Sequence, residues 1–393
     1  MIKTGATVLW QRLPIHMTAT IPKLQNYAIY SDAPDVIDGH PVIDILAYTE
    51  PSVKNSDSFR GYQRQSRLIN EHANVELYEK EANIENSWDL DKFKNIRMIT
   101  HAYRTKPDAK WYIFIDGDSY VFWSNMFAWL NTLNPEEYLY LGSQTYVNDL
   151  SFAHGGSGVV LSGALVRKVF GSKDLNLRRW DQIASENCCG DFVVALLLRE
   201  AAQVEVSSET EYPYSYFKIQ GEPQFSIRHT SRNWCEPIVT LHHLTDHDVS
   251  QLREFERDFY QSEEQVVLKT PILYRDIYHK FVMPYICRGR RDSWDNMSDG
   301  QEINIDNAGD GELAHTSYNQ CRQKCVDIED CMQFKFRQGS CVLSTNIRLG
   351  KMDMNEENEF ASEWMVDRIR RVRQNSPCDS LKDETVEECS YLK

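Results

Sequence analysis

Residues 111–118 read Trp-Tyr-Ile-Phe-Ile-Asp-Gly-Asp. Bulky apolar residues in an unbroken run suit a strand buried on both faces, the kind found in the sheets of α/β proteins. The run delivers two carboxylates, Asp116 and Asp118, into a turn at its end. Open α/β sheets place their ligands at the carboxyl ends of strands, and a hard cation such as Mn2+ or Mg2+ takes oxygen ligands while keeping positions for phosphate. A D-x-D triplet at that place points to a nucleotide-phosphate site, set against the ordinary alternative of a solvated turn.

The surrounding pattern is βαβ-like. Residues 27–30 read as a strand running into Ser31-Asp32, and residues 42–46 as another. Residues 89–104 then form an amphipathic helix, with Leu90, Phe93, Ile96 and Met98 spaced to face inward. Asp32, like Asp116 and Asp118, falls at a strand end. Further on, residues 138–141 make a short strand, His154-Gly155-Gly156-Ser157-Gly158 precedes the apolar Val159-Val160-Leu161, and residues 164–170 read as helical. Adjacent glycines admit a close backbone approach to a ligand, or simply a tight turn.

Two later segments carry polar handles on apolar elements. Asp191 stands at the mouth of a very apolar helix, where it is either an N-cap or a general base. Asn233-Trp234-Cys235-Glu236-Pro237-Ile238-Val239-Thr240-Leu241 leads into His242 and His243, either of which supplies an imidazole. In an extended strand the two would point to opposite faces, so at most one is expected at a single site.

Composition narrows the class. The 393 residues allow two to three domains, and an apolar fraction of 41% suffices for a substantial core. A formal charge of −15 argues against a nucleic-acid partner. Arg368, Arg370, Arg371 and Arg373, interleaved with Ile369 and Val372, read as the solvated face of an edge strand or helix. No apolar run approaches the roughly 20 residues of a membrane span; the longest compact one is 192–198. Residues 6–10 already look like the first element of a folded domain and not like a signal peptide, so the expectation is a cytosolic chain or a missing upstream anchor.

The cysteines favour the second option. Cys321, Cys325, Cys331 and Cys341 follow a C-x3-C-x5-C-x9-C pattern, with Cys378 and Cys389 near the end. Paired C-x2-C knuckles or histidine partners, which a zinc site would show, are missing from it, so disulfides and an oxidising compartment are the better reading. Asn296-Met297-Ser298 is a compatible glycosylation acceptor pattern.

Taken in order, WYIFIDGDSYVF at 111–122, the loop at 154–158, the segment 189–198 and NWCEPIVTLHH at 233–243 resemble glycosyltransferase family 31, in particular its Fringe-like and core 1 β-1,3-galactosyltransferase-like members of fungal type. The resemblance implies a GT-A fold, a Rossmann-like α/β sheet that binds a UDP-sugar through Mn2+ or Mg2+. It implies Asp118 and His242 as metal ligands, with Asp116 beside the metal or, together with Gly117 and Asp32, on the donor nucleotide. Asp191 takes the place of the catalytic base, and Gly155, Gly156, Trp234 and Glu236 fall on the acceptor side, where Trp234 would offer a flat ring to a sugar. Gly190 and Ala195 depart from the pattern, standing where relatives carry an acid and a glycine, which implies an altered acceptor pocket.

The implied activity is inverting transfer of a sugar, galactose in β-1,3 linkage by family weight, from a UDP-sugar to a glycan or glycoprotein acceptor. The implied setting is the Golgi lumen, in a family of type II membrane proteins. The alternative is a carbohydrate- or protein-binding pseudoenzyme on the same fold.

Residues 291–375 resemble a PAN/apple module, small, α+β and disulfide-stapled. The sulfurs of Cys321 and Cys325 lie four residues apart on a helix, residues 331–336 alternate as a strand, and Cys341-Val-Leu and residues 362–369 complete the likeness. It implies pairing of Cys321 with Cys341 and of Cys325 with Cys331, and a glycan or protein ligand. The expected organisation is a GT-A domain over 1–290, the module over 291–375 and a tail over 376–393.

Overall fold

A computed structural model of the chain describes residues 1–71, 87–207, 218–219, 221–261, 270–287, 289–353 and 360–378. The chain divides into two compact units, one of Met1–Gly221 with Val239–Lys269, the other of Glu222–Ile238 with Thr270–Lys393. Cys389 and the tail beyond Cys378 lie outside the described residues.

The first unit is built on a seven-stranded sheet in the order Asp35–Ile37, His40–Asp44, Ile29–Ser31, Ile2–Lys3, Trp111–Asp116, Val159–Ser162, Tyr140–Gly142. Ile2–Lys3 runs parallel to both Ile29–Ser31 and Trp111–Asp116, and Ile29–Ser31 parallel to His40–Asp44. Val159–Ser162 returns antiparallel between Trp111–Asp116 and Tyr140–Gly142. This mixed α/β sheet with a parallel centre is consistent with a Rossmann-like fold.

The 111–116 run explains why that strand is central. Alternation sends Tyr112 and Phe114 into the core shared with Phe93, Ile96 and Val193, while Trp111, Ile113 and Ile115 enter the core on the opposite face with Leu13, Trp123 and Met126. The helix Asp91–Thr105 begins two residues later than expected and ends one residue later, preceded by a 3-10 turn at Ser87–Leu90. Arg97 pairs with the buried Asp181 and ties it to the helix Leu177–Glu186.

The second unit carries a five-stranded antiparallel sheet in the order Arg290–Asp292, Ala361–Trp364, Gln333–Arg337, Ser340–Ser344, Glu302–Asn304, with the helix Tyr318–Asp327 against one face. Cys321 joins Cys341, and Cys325 joins Cys331. Residues 222–238 and 270–290, read from sequence as part of the first domain, belong here. The Cys235–Cys378 disulfide holds the first of these segments, and Trp234, Tyr278 and Ile286 share one apolar cluster with Ile347, Trp364 and Ile369.

Two surface readings change. Arg368 lies on the helix Val366–Gln374 but is no solvated face: its guanidinium donates to the carbonyls of Cys325, Val326, Ile328 and Cys331 and so satisfies the end of the neighbouring helix. Asn296 is fully buried and its Nδ2 donates to Phe334 O at 3.0 Å, which withdraws the sequon from glycosylation.

Candidate functional site

The strand Trp111–Asp116 ends in a turn pinned from both sides. Gly117 N–H donates to Lys3 O at 2.8 Å, while Gly117 O lies 2.9 Å from the buried His16 Nε2. Tyr120–Val121 then pairs antiparallel with Thr240 and Leu241, and this register brings His242 back to the turn. Leu244 N–H donates to Asp118 O at 3.0 Å. His242 Nε2 consequently stands 3.2 Å from Asp118 Oδ1, and Arg12 reaches Asp118 Oδ2 at 3.2 Å.

His243 corrects an expectation. The strand stops at Leu241, and His243 adopts a left-handed φ of 58°, which breaks the strand alternation. Both rings therefore stack, with centroids 3.9 Å apart, and one ligand atom each from Asp118, His242 and His243 lies within 4.8 Å of the others.

The glycine loop joins this cluster to Asp191. Ser119 Oγ donates to Gly156 O at 2.6 Å, and Thr240 Oγ1 donates to Ser157 O at 2.7 Å. A Cβ on Gly156 would fall 2.1 Å from His242 Cε1, so this position admits no side chain while the ring holds its place. Gly155 N–H donates to Asp191 Oδ2 at 2.8 Å. The loop reserved for the acceptor in the sequence reading thus acts here as the joint between Asp191 and His242.

Asp191 is not an N-cap. The helix Gly190–Ala202 is capped by Cys189, and Asp191 lies in its first turn, where the helix dipole favours an anion. Cys188 and Cys189, neighbours in sequence, form a disulfide immediately before that turn. The two departures from the family pattern have packing causes. A Cβ on Gly190 would sit 2.9 Å from Lys92 Cα, so an acid cannot fit there, and Ala195 is buried in the helix-side core rather than in a pocket.

Charge is arranged in layers. Burial raises the Asp118 carboxyl, but the His242 hydrogen bond and charge and the Arg12 guanidinium outweigh it and hold it at about 2. Asp116 turns the other way, with Oδ1 3.2 Å from Lys3 Nζ, and is not among the three clustered ligands. Burial and the carboxylates of Asp91 and Asp118 push it up against the pull of Lys3. Burial opposes the charge on Lys3 itself, yet Asp116, Asp91 and Asp191 together push that ammonium up. His154, whose Nδ1 is 2.9 Å from Ser157 Oγ, is pushed down by burial and partly restored by Asp191.

Other residues singled out in the sequence lie elsewhere. Asp32 is buried with Oδ1 accepting from Ala6 N–H and Gln65 Nε2, and Oδ2 2.8 Å from Lys94 Nζ. Both oxygens are committed to protein donors, and the donor-binding role gives way to a structural one. Trp234 belongs to the second unit and is fully buried beside His229 and Tyr278, so it presents no open ring to a sugar. Glu236 is half-buried in the same unit, with its carbonyl accepting from Tyr274 N–H at 3.1 Å. Lys3, Arg12 and His16 were missed; none sits in a motif, and only the fold brings them to the turn, while His154 lies in the quoted glycine loop but was given no role.

A metal fits these residues by a structural criterion. Among the described residues, His242 Nδ1 is buried without a hydrogen-bond partner, and the Asp118 carboxylate beside the two imidazoles completes a donor set for a divalent first-row ion. A Fringe-like family model matches residues 3–211 of the chain. No curated protein matches it.

Proposed function

The chain belongs to the Fringe-like glycosyltransferase family, and from that premise we propose that it is an inverting, metal-dependent transferase moving a sugar from a UDP-sugar to a glycan or glycoprotein hydroxyl. The observation that carries this reading is the Gly155–Gly156 joint, which holds Asp191 on one side and the Asp118–His242 pair on the other. Asp118, His242 and His243 would hold the divalent ion, Mn2+ or Mg2+, with Asp116 toward the donor nucleotide. When bound, the ion supplies positive charge to the diphosphate leaving group.

The chain's own residues do the rest. Asp191 accepts the proton of the acceptor hydroxyl, the hydroxyl oxygen bonds to the anomeric carbon, and the carbon–oxygen bond to UDP breaks on the opposite face. An α-linked donor then yields a β-linkage. Gly155 N–H orients the Asp191 carboxylate, and Lys3 offsets the charge of Asp116 beside it. Galactose in β-1,3 linkage is the donor and product we favour. Disulfides in both units support a secretory setting, the Golgi lumen by family, and the helix-on-sheet second unit with its paired cysteines supports a PAN/apple-like module.

A screen of UDP-sugars for UDP release, with and without EDTA, tests the reading. Release from one UDP-hexose, abolished by EDTA and restored by Mn2+, is expected. Binding of UDP-sugars with no release in the presence of any acceptor glycan returns the chain to the pseudoenzyme reading.

A further inference from the structure

The disulfides of this chain do two different jobs. Those joining Cys325 to Cys331, Cys321 to Cys341 and Cys235 to Cys378 close loops with sequence separations of 6, 20 and 143, and a closed loop restrains the unfolded chain. Cys188 and Cys189 are adjacent, so their bond closes no loop and adds almost nothing on that account. It restrains a single peptide unit instead.

That peptide unit has a particular place. Asn187-Cys188-Cys189 is the whole link between the helices Leu177–Glu186 and Gly190–Ala202, and Asp191 follows it in the first turn. Both ends of the link are fixed: Asn187 Nδ2 donates to Ile183 O at 2.7 Å, and Cys189 O accepts from Val193 N–H at 3.2 Å. Between them Cys188 is the one exposed residue among the described disulfide-bonded cysteines, while Cys189 is half-buried against the helix-side core.

The two sulfurs are therefore unequal. An incoming thiolate meets Cys188 first, and Cys189, the N-cap residue, departs as a thiolate at the positive end of the helix dipole, which lowers the cost of its charge. We propose that Cys188–Cys189 is a reversible thiol–disulfide site whose co-substrate is a dithiol, set in the link before Asp191. One thiolate of the dithiol bonds to Cys188 Sγ, the bond to Cys189 Sγ breaks, and its electron pair leaves on Cys189 Sγ. The second thiol of the reductant then attacks the reductant's own sulfur in the mixed disulfide and releases Cys188. Two electrons and two protons pass to the cysteines, and the reductant becomes a disulfide. The claim does not depend on turnover.

The test treats the native full chain with increasing dithiothreitol, traps thiols with iodoacetamide and maps them by mass spectrometry. Cys188 and Cys189 are expected to be labelled at a concentration about tenfold below that which labels any of the cysteines in the three loop-closing disulfides. With glutathione in place of dithiothreitol and an acid quench, the mixed disulfide should be found on Cys188. Hydrogen exchange on the selectively reduced chain should rise at residues 187–189 and stay unchanged at 193–202, and oxidised glutathione should restore both the bond and the protection. Cys188→Ser with Cys189→Ser should exchange as the reduced chain does before any reductant is added. Reduction in step with the other disulfides, glutathione on Cys189, or equal exchange in the oxidised and reduced chains overturns the proposal.

Discussion

In the first unit a central strand feeds apolar side chains into cores on both faces of a sheet, whereas in the second a smaller sheet packs its main apolar face on a helix held by two disulfides. The first therefore has strand ends to spare for charge: Lys3, Asp116, Asp118 and Asp91 gather where the apolar run stops. The second spends its buried positions on cysteines, as small domains with limited cores do. A large two-sided core stabilises the scaffold enough to hold the strained, orphaned polar groups of a site, and the smaller second unit relies on covalent staples beside its cores instead.

Disturbing each unit's own support sharpens that contrast. Phe114→Ala removes a fully buried ring from the helix-side core and should destabilise the first unit by about 3–5 kcal/mol in chemical denaturation. Loss of the Cys321–Cys341 link, a separation of 20 residues, should destabilise the second unit by roughly 3 kcal/mol on the loop-entropy account. Measured by hydrogen exchange on the full chain, the first change should raise exchange in residues 91–202 and the second in residues 302–344; the same protection pattern in both would erase the distinction between units.

Acid should act on the second unit through His229. Its ring is fully buried among aromatic rings, and burial, with His279 adding to it, lowers its pKa to about 3. The folded ring stays neutral while the unfolded one takes a proton below about 6.5, so this contribution to stability is complete above that pH and is lost as the pH falls toward 3. At pH 5 the loss should reach about 2 kcal/mol. His229→Phe should flatten the stability profile between pH 5 and 7, and an unchanged slope would remove His229 as its cause.

The smallest change concerns the joint. Gly156→Ala puts a methyl into the His242 ring, and should weaken Mn2+ binding by about tenfold, in line with losses seen when metal ligands are reoriented. Calorimetric titration of the metal alone reads this without any turnover.

How far the sequence foretold this depended on whether a residue's neighbours lie nearby in the chain. The 111–116 strand, the turn behind it, the apolar 190–202 helix and the strand before His242 are all periodic or run-like signals, and the structure has elements there. The partners of Asp116 and Asp118 were hidden, because Lys3 and Arg12 reach the turn only through the parallel pairing of Ile2–Lys3 and the packing of Leu13 against the sheet. His243 was misjudged because alternation was extended two residues past the end of its strand. Asp32, Trp234 and Asn296 carried functional residue types but are buried, and burial of a polar or aromatic group is settled by distant segments such as Lys94, Tyr278 and Phe334. The adjacent Cys188–Cys189 disulfide had no warning in a pattern read for loops.

The central claim is that Asp191 acts as base beside a separate metal and nucleotide group. Asp191→Asn keeps the Gly155 N–H partner and should leave UDP and Mn2+ affinity within a factor of two by calorimetry while lowering sugar transfer by about 10²–10⁴-fold. Transfer at the wild-type rate in a variant that still binds UDP and Mn2+ would contradict the account.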